Sequence, residues 1–152
     1  MSIGRGKLIE DLKFALAGLP QAVTTTKAYF NGSTTTGAGV AIDTQPYDEI
    51  VFGLLVGAMG AGGTMEAAVW ESDTDNTEAA SAVTGADFTD VTTANDYGGQ
   101  LGSIKCKNYK RYMYIRTVSA SATSVTFASG AVLGRADGMP IANEPVFDLN
   151  HA

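Results

Sequence analysis

YDEIVFGLLVGAMGAGGTMEAAVWESD, residues Tyr47–Asp73, is the stretch on which the reading of the chain turns. It holds two apolar segments, Ile50–Val56 and Met65–Trp70, joined by glycine, alanine and a single methionine. The first, IVFGLLV, has almost no polar relief, the pattern of a strand covered on both faces. The second mixes Met, Ala, Val and Trp with Glu66 and Glu71, which leaves one face able to meet water. Gly57, Gly60, Gly62 and Gly63 permit positive φ and oppose a long helix. The expectation is a central β-hairpin, with Trp70 in a core strand. Its tip, GAMGAGGT, lacks the Lys of a P-loop, the glycine spacing of a dinucleotide site and a following helix signal. It therefore reads as a turn rather than a phosphate cradle.

Toward the N-terminus, Leu8, Ile9, Leu12, Ala15 and Leu16 recur at spacings of three and four, which predicts an amphipathic helix over Lys7–Ala17 ended by Gly18 and Pro20. A helix that short is marginal alone and has to pack on the body or on a neighbour. Gln21–Phe30 is β-branched and aromatic and reads as a strand, followed by an Asn31-Gly32 turn, a polar loop over Ser33–Gly37 and a short strand at Val40–Asp43. Beyond the hairpin, Glu71–Asp87 is polar and reads as a long exposed loop, Phe88–Val91 as a brief strand, and Thr92–Gly102 as another loop. Ser103–Cys106 leads into KNYKRYMYIRTV, where Tyr112, Tyr114 and Arg116 alternate with Met113, Ile115 and Thr117. Ser124–Leu133 returns as a strand, and the sequence from Gly134 on, with two prolines, reads as an extended tail. About eight short strands at loop-rich spacing predict an all-β fold, an antiparallel β-sandwich or jelly-roll-like domain. The expected divisions are an N-terminal helix or arm over 1–20, a sandwich over 21–134 and a tail over 135–152.

At 152 residues one domain can bury roughly 70% of its unfolded surface. Only 17% of residues are charged and glycine is abundant, which suits short strands and tight turns better than a helical bundle. A net charge of −6 argues against a protein that coats nucleic acid. No apolar stretch reaches the length of a membrane span, and Glu10, Asp11 and Lys13 interrupt any signal-peptide reading of the N-terminus. The chain is expected to be made in the cytoplasm and to contact neither membrane nor nucleic acid.

Candidates for chemistry are few. The single cysteine, Cys106, allows no internal disulfide; it lies between Lys105 and Lys107, but a lone strand cysteine reads first as a small buried apolar residue. Asp73, Asp75, Asn76 and Glu78 offer oxygen ligands of the kind calcium takes, without EF-hand offsets, and read as a solvated loop. The only histidine, His151, stands next to the last residue, a poor place for a general base that needs fixed geometry. Glu66 and Glu71 fall on opposite sides of a strand. No catalytic, metal or cofactor constellation emerges, and the expectation is that the chain is not an enzyme. The distinctive feature is Lys105, Lys107, Tyr109, Lys110, Arg111, Tyr112, Tyr114 and Arg116, which gathers half of the chain's cations. Alternation sends Tyr112, Tyr114 and Arg116 to one face and Arg111, Met113 and Ile115 to the other. Tyr and Arg on one face point to a subunit interface.

The order of these segments resembles the head decoration (cement) proteins of tailed bacteriophages. The resemblance rests on LIEDLK, on GVAID followed by YDEIVFGLLVGA, and on GTMEAAVWESD, DFTDV, LGSIKCKNYKRYMYIRTV and SVTFASGAVLGRADGMP. It implies a β-sandwich or jelly-roll-like domain that sits on the outer capsid surface and bridges major capsid protein subunits, as a homo-oligomer (trimer or dimer). On that reading Leu8, Ile9, Leu12, Phe14 and Leu16 dock on capsid or a sister subunit, and Tyr109, Arg111, Tyr112, Tyr114 and Arg116 line a contact face. The long loop Thr74–Asp87 departs from the family pattern. The alternatives are another virion component (neck, head-fibre base or tail-associated sandwich) and a carbohydrate-binding sandwich module. The last is disfavoured because the only tryptophan is placed in a core strand.

Overall fold

In the computed structural model, residues 13–23, 27–30, 41–45, 47–120, 125–134 and 147–148 are described. They form two packed β-sheets, as the alternation of the sequence requires. The strands are β1 (Lys13–Val23), β2 (Lys27–Phe30), β3 (Ile42–Asp43), β4 (Glu49–Met59), β5 (Thr64–Ser72), β6 (Ser81–Asp87), β7 (Val91–Thr92), β8 (Gly98–Lys105), β9 (Tyr112–Ala120), β10 (Val125–Gly134) and β11 (Phe147–Asp148). Sheet A runs β1-β10-β4-β8-β11; sheet B runs β2-β9-β5-β6, with β3 against β9 and β7 against β5. All pairings are antiparallel except β11 on β8. Strand β4 shows why a sandwich forms. Ile50, Phe52, Leu54 and Val56 are at most 4% exposed, while Val51 and Gly53 between them are half-buried and Leu55 is exposed. The buried set packs with Phe127, Ala131 and Leu133 of β10 against Met65, Val69, Met113 and Ile115 of sheet B.

The expected hairpin over Tyr47–Asp73 is corrected. Both of its strands exist, but they lie in different sheets, so the glycine turn is an arch across the core. The reason is that β4 is a central strand: β10 occupies one of its edges and β8 the other, from Glu49 to Val56, leaving no hydrogen-bonding edge for β5. The Gly63 amide donates to the Gly60 carbonyl at 3.0 Å and Gly62 takes φ +74°, a conformation that suits glycine.

The expected helix over Lys7–Ala17 is corrected where it can be seen. Residues 13–23 form β1, an edge strand of sheet A, and 7–12 lie outside the described residues. Spacings of three and four over so short a run support only a marginal helix, and the open edge of β10 offers a full ladder instead. Register shifts fall between Leu16 and Gly18 and between Gly18 and Gln21. Gly18 and Pro20 thus interrupt a strand instead of ending a helix, as both residues commonly do at edges and bulges. The strand passes through residue 20, where the arm was expected to end. Gln21–Phe30 is likewise two elements: β1 ends at Val23 in sheet A and β2 begins at Lys27 in sheet B, on β9. The Asn31-Gly32 turn and the Ser33–Gly37 loop lie outside the described residues.

Two expected loops contain strands. Within Glu71–Asp87, Asn76 caps a 3-10 turn at Thr77–Ala79, accepting from the Glu78 amide at 2.9 Å. Then β6 pairs with β5 and buries Val83 and Ala86. Within Thr92–Gly102, β8 starts at Gly98 and pairs with β4 from Val56 onward. Phe88 belongs to no strand; its amide donates to the Ala67 carbonyl at 2.9 Å and its ring is 3% exposed. In the expected tail, Phe147 and Asp148 form β11 beside Gly102 and Ser103. No α-helix occurs among the described residues.

Candidate functional site

Strand β9 carries most of the residues singled out from the sequence, and the structure sorts them. Met113, Ile115, Thr117 and Ser119 face inward and are at most 2% exposed. Tyr112, Arg116 and Val118 occupy the other face and are half-buried. Tyr114 shares that outer face yet is 0% exposed. The loop after β5 folds over it, and its hydroxyl donates to the Thr74 carbonyl at 3.4 Å. Burial, with Asp75 adding to it, pushes the phenol up from its ordinary range. Tyr114 as a contact residue is therefore corrected: strand parity sets which face a residue takes, but an adjoining loop covers that face locally.

Arg111 is tied down within the chain. Its Nε and Nη2 donate to Asp43 at 3.0 and 2.7 Å, and its guanidinium lies 5.0 Å from the centre of the Tyr112 ring. Its carbonyl accepts from both the amide and the hydroxyl of Thr44. Tyr109 packs against the core from a second 3-10 turn, Cys106–Asn108. Much of the basic-aromatic cluster thus fastens β3 and its flanks to sheet B. Of the arm residues, Leu8, Ile9 and Leu12 lie outside the described residues, while Phe14 and Leu16 stand on β1 opposite Val132 and Gly130.

Sheet A presents a surface the sequence reading did not single out. On the side away from the core, register places Val132, Val51 and Ser103 in one row, Gly130, Gly53 and Leu101 in the next, and Ala128, Leu55 and Gly99 in a third. No residue in these rows is charged. All but Ser103 and Gly99 line an open hollow of about 350 Å³, floored by Gly53 and Gly130. Among the described residues the exposed large hydrophobic side chains are Leu55, 63% exposed, and Tyr97, 76% exposed. Tyr97 stands beside the same end of the sheet, its amide donating to the Gly57 carbonyl at 3.4 Å. Nearby, Asp96 accepts from the Met59 amide at 3.0 Å. The signal was in IVFGLLV itself: a run apolar at both parities belongs to a strand with two apolar faces, and the core accounts for one.

The remaining candidates act structurally. Cys106 is buried, and burial above all pushes its thiol up to about 12, so it stays protonated at neutral pH. In the acidic loop, Asp73 lies 3.9 Å from Lys110 and Asn76 caps its own turn. Among the described residues no three His, Cys, Asp or Glu side chains converge as a metal site would require. Trp70 is on β5 as expected but not in the core. It points outward, half-buried, with the Arg116 guanidinium 4.8 Å from its ring centre.

No known family model matches the sequence, and no curated protein matches it. In three dimensions the chain is similar to the PBSX exported protein XepA, at 16% identity and a TM-score of 0.56, over 87% of this chain and 40% of that one. It is also similar to the VP2 subviral particle of infectious bursal disease virus, at 15% identity and a TM-score of 0.50, over 82% of this chain and 32% of that one. The chain spans less than half the length of either. At these identities what is shared is the fold, an antiparallel β-sandwich of jelly-roll type.

Proposed function

We propose that this chain is a structural virion protein that decorates the outside of a phage head and bridges neighbouring major capsid protein subunits. The observation that carries the reading is the outer face of sheet A. A sandwich needs one apolar face per sheet, and this sheet has a second, uncharged over three rows of β10, β4 and β8, with exposed Leu55 on it and exposed Tyr97 beside it. An exposed apolar patch of this kind marks a surface that another protein covers. The segment order resembles that of phage head decoration proteins, which supports the capsid shell as that protein. A decorating protein of this kind is an oligomer, trimer or dimer, made in the host cytoplasm and added to the assembled head, where many weak contacts sum by avidity.

The test is to add the purified chain to undecorated heads and separate bound from free by sedimentation. Binding to heads, at hundreds of copies in the manner of a repeating shell, is expected. Failure to bind, or binding to unassembled capsid subunits alone, would sink the proposal. A handful of copies per particle would move the protein to a neck or fibre base.

A further inference from the structure

The outer face of sheet B carries a second hollow, of about 250 Å³, that attachment through sheet A leaves free. Its origin is local. In register, Ala68 of β5 lies between Arg116 of β9 and Asp87 of β6. A methyl group flanked by longer side chains leaves a depression, and the irregular pairing between Ala68 and Trp70 on the β6 side widens it. Trp70 and Arg116 close one end, their ring and guanidinium 4.8 Å apart. Glu66, Asp87 and Asp90, all exposed, supply the carboxylates, and Val118 and the buried Phe88 complete the lining.

The chemistry of that lining restricts what can enter. An anion meets three carboxylates. A cation is drawn by the carboxylates but finds Arg116 already lying against the one indole, so the cation–π seat is taken. A purely apolar molecule strips water from four charged groups without replacing their hydrogen bonds. A hydroxyl group suits all of them, because it donates to carboxylates and accepts from a guanidinium. A ring carrying several hydroxyls on its edge and C–H groups on its faces also uses the apolar part of the hollow, Ala68, Val118 and the uncovered portion of Trp70. Few polar groups converging over an apolar base is the usual make-up of a small-molecule site.

We infer that the hollow bounded by Trp70, Arg116, Glu66, Asp87 and Asp90 binds a neutral saccharide. This goes beyond attachment to a capsid and uses the opposite side of the sandwich. A chain fixed through sheet A presents sheet B outward, where glycans of a cell surface are met.

The experiment is an NMR titration of the full chain with cellohexaose, mannohexaose, xylohexaose and chitohexaose in turn. At least one is expected to move the Trp70 indole N–H together with the Ala68 amide and the Arg116 Nε. Trp70→Ala should weaken that binding by about tenfold or more, the worth of one aromatic contact, while Leu55→Asp on the other sheet leaves it unchanged. Should Trp70→Ala fail to fold, Ala68→Leu fills the hollow from its floor with Trp70 in place and should abolish the same shifts. If none of these sugars moves the signals at saturating concentration, the inference is overturned. It is equally overturned if both variants bind as the parent does, or if oligolysine moves the same signals as strongly, which would make the hollow a socket for basic side chains.

Discussion

The two sheets of this sandwich share a core but differ in everything else. Sheet A is largely apolar on both faces: Ile50, Phe52, Leu54, Phe127 and Leu133 point inward with Ser129 among them, while Val51, Leu55, Leu101 and Val132 point outward beside Ser103. Sheet B is mixed twice over. Its inner face sets Thr117 and Ser119 among Met113, Ile115 and Val69, and its outer face carries Trp70, Arg116 and Glu66. Part of that outer face is closed by the chain's own loop over Tyr114. Folding alone explains an apolar face on each sheet. The second apolar face of sheet A is surplus to folding, whereas the outer face of sheet B is partly used up by it. Attachment to a large partner therefore belongs with sheet A, and selective binding of something small with sheet B.

The sharpest way to break this contrast is to compare neighbours on β4. Phe52→Ala removes a ring that is 0% exposed and should cost about 3–5 kcal/mol in urea denaturation. Val51→Ala, one residue away on the other face, should cost less than about 1 kcal/mol. Equal costs would mean that the outer face of sheet A is buried by this chain itself, and the surplus would vanish. Next in size is an effect on binding. Val51→Asp with Leu55→Asp should weaken binding to heads by at least about a hundredfold, since two apolar side chains of roughly 1.5–3 kcal/mol each are lost from a contact. Glu66→Gln on sheet B should leave occupancy unchanged. The reverse pattern would exchange the roles of the two faces.

How much of this could be read beforehand follows the same division. Parity along YMYIRTV set Met113 and Ile115 on the face opposite Tyr112 and Arg116, as the structure has them, because a period of two is a local property. Which sheet a strand joins is not local. Nothing in GAMGAGGT tells an arch from a hairpin, and the decision came from β10 and β8, distant segments that had already taken both edges of β4. The helix expected at Lys7–Ala17 was displaced over its described residues for the same reason: the edge of β10 outbids a marginal helix. Trp70 was misplaced because Met65–Trp70 was treated as one apolar block, although Met65, Ala67 and Val69 alternate with Glu66, Ala68 and Trp70. That alternation was visible in the sequence. The cover over Tyr114 was not, since it depends on how a polar loop folds back.

A smaller effect probes the polar interior of sheet B. The Thr117 hydroxyl is buried without a hydrogen-bond partner among the described residues, and an unsatisfied hydroxyl in such a place is costly. Thr117→Val keeps the shape of the side chain and the β-branching the strand favours, and should raise stability by about 1 kcal/mol in the same denaturation experiment. A loss of stability instead would show that the hydroxyl is engaged, and that the mixed interior of sheet B is fully satisfied.

The smallest effect separates fold from contact at the edge of sheet A. Tyr97 is 76% exposed and has φ +57°, a left-handed conformation that a residue with a side chain adopts at a cost. Neither feature helps the folded monomer: the ring gains little from burial, and the backbone is strained. Tyr97→Gly removes both at once. Relief of the strain should offset the greater freedom glycine has in the unfolded chain, so stability should change by no more than about 1 kcal/mol in either direction. If the ring belongs to the docking face, the same substitution weakens head occupancy measurably, less than the aspartate pair does but more than Glu66→Gln. A variant that unfolds readily would make Tyr97 part of the scaffold. A variant as stable as the parent that still decorates heads fully would confine the docking face to the rows over Gly53 and Gly130.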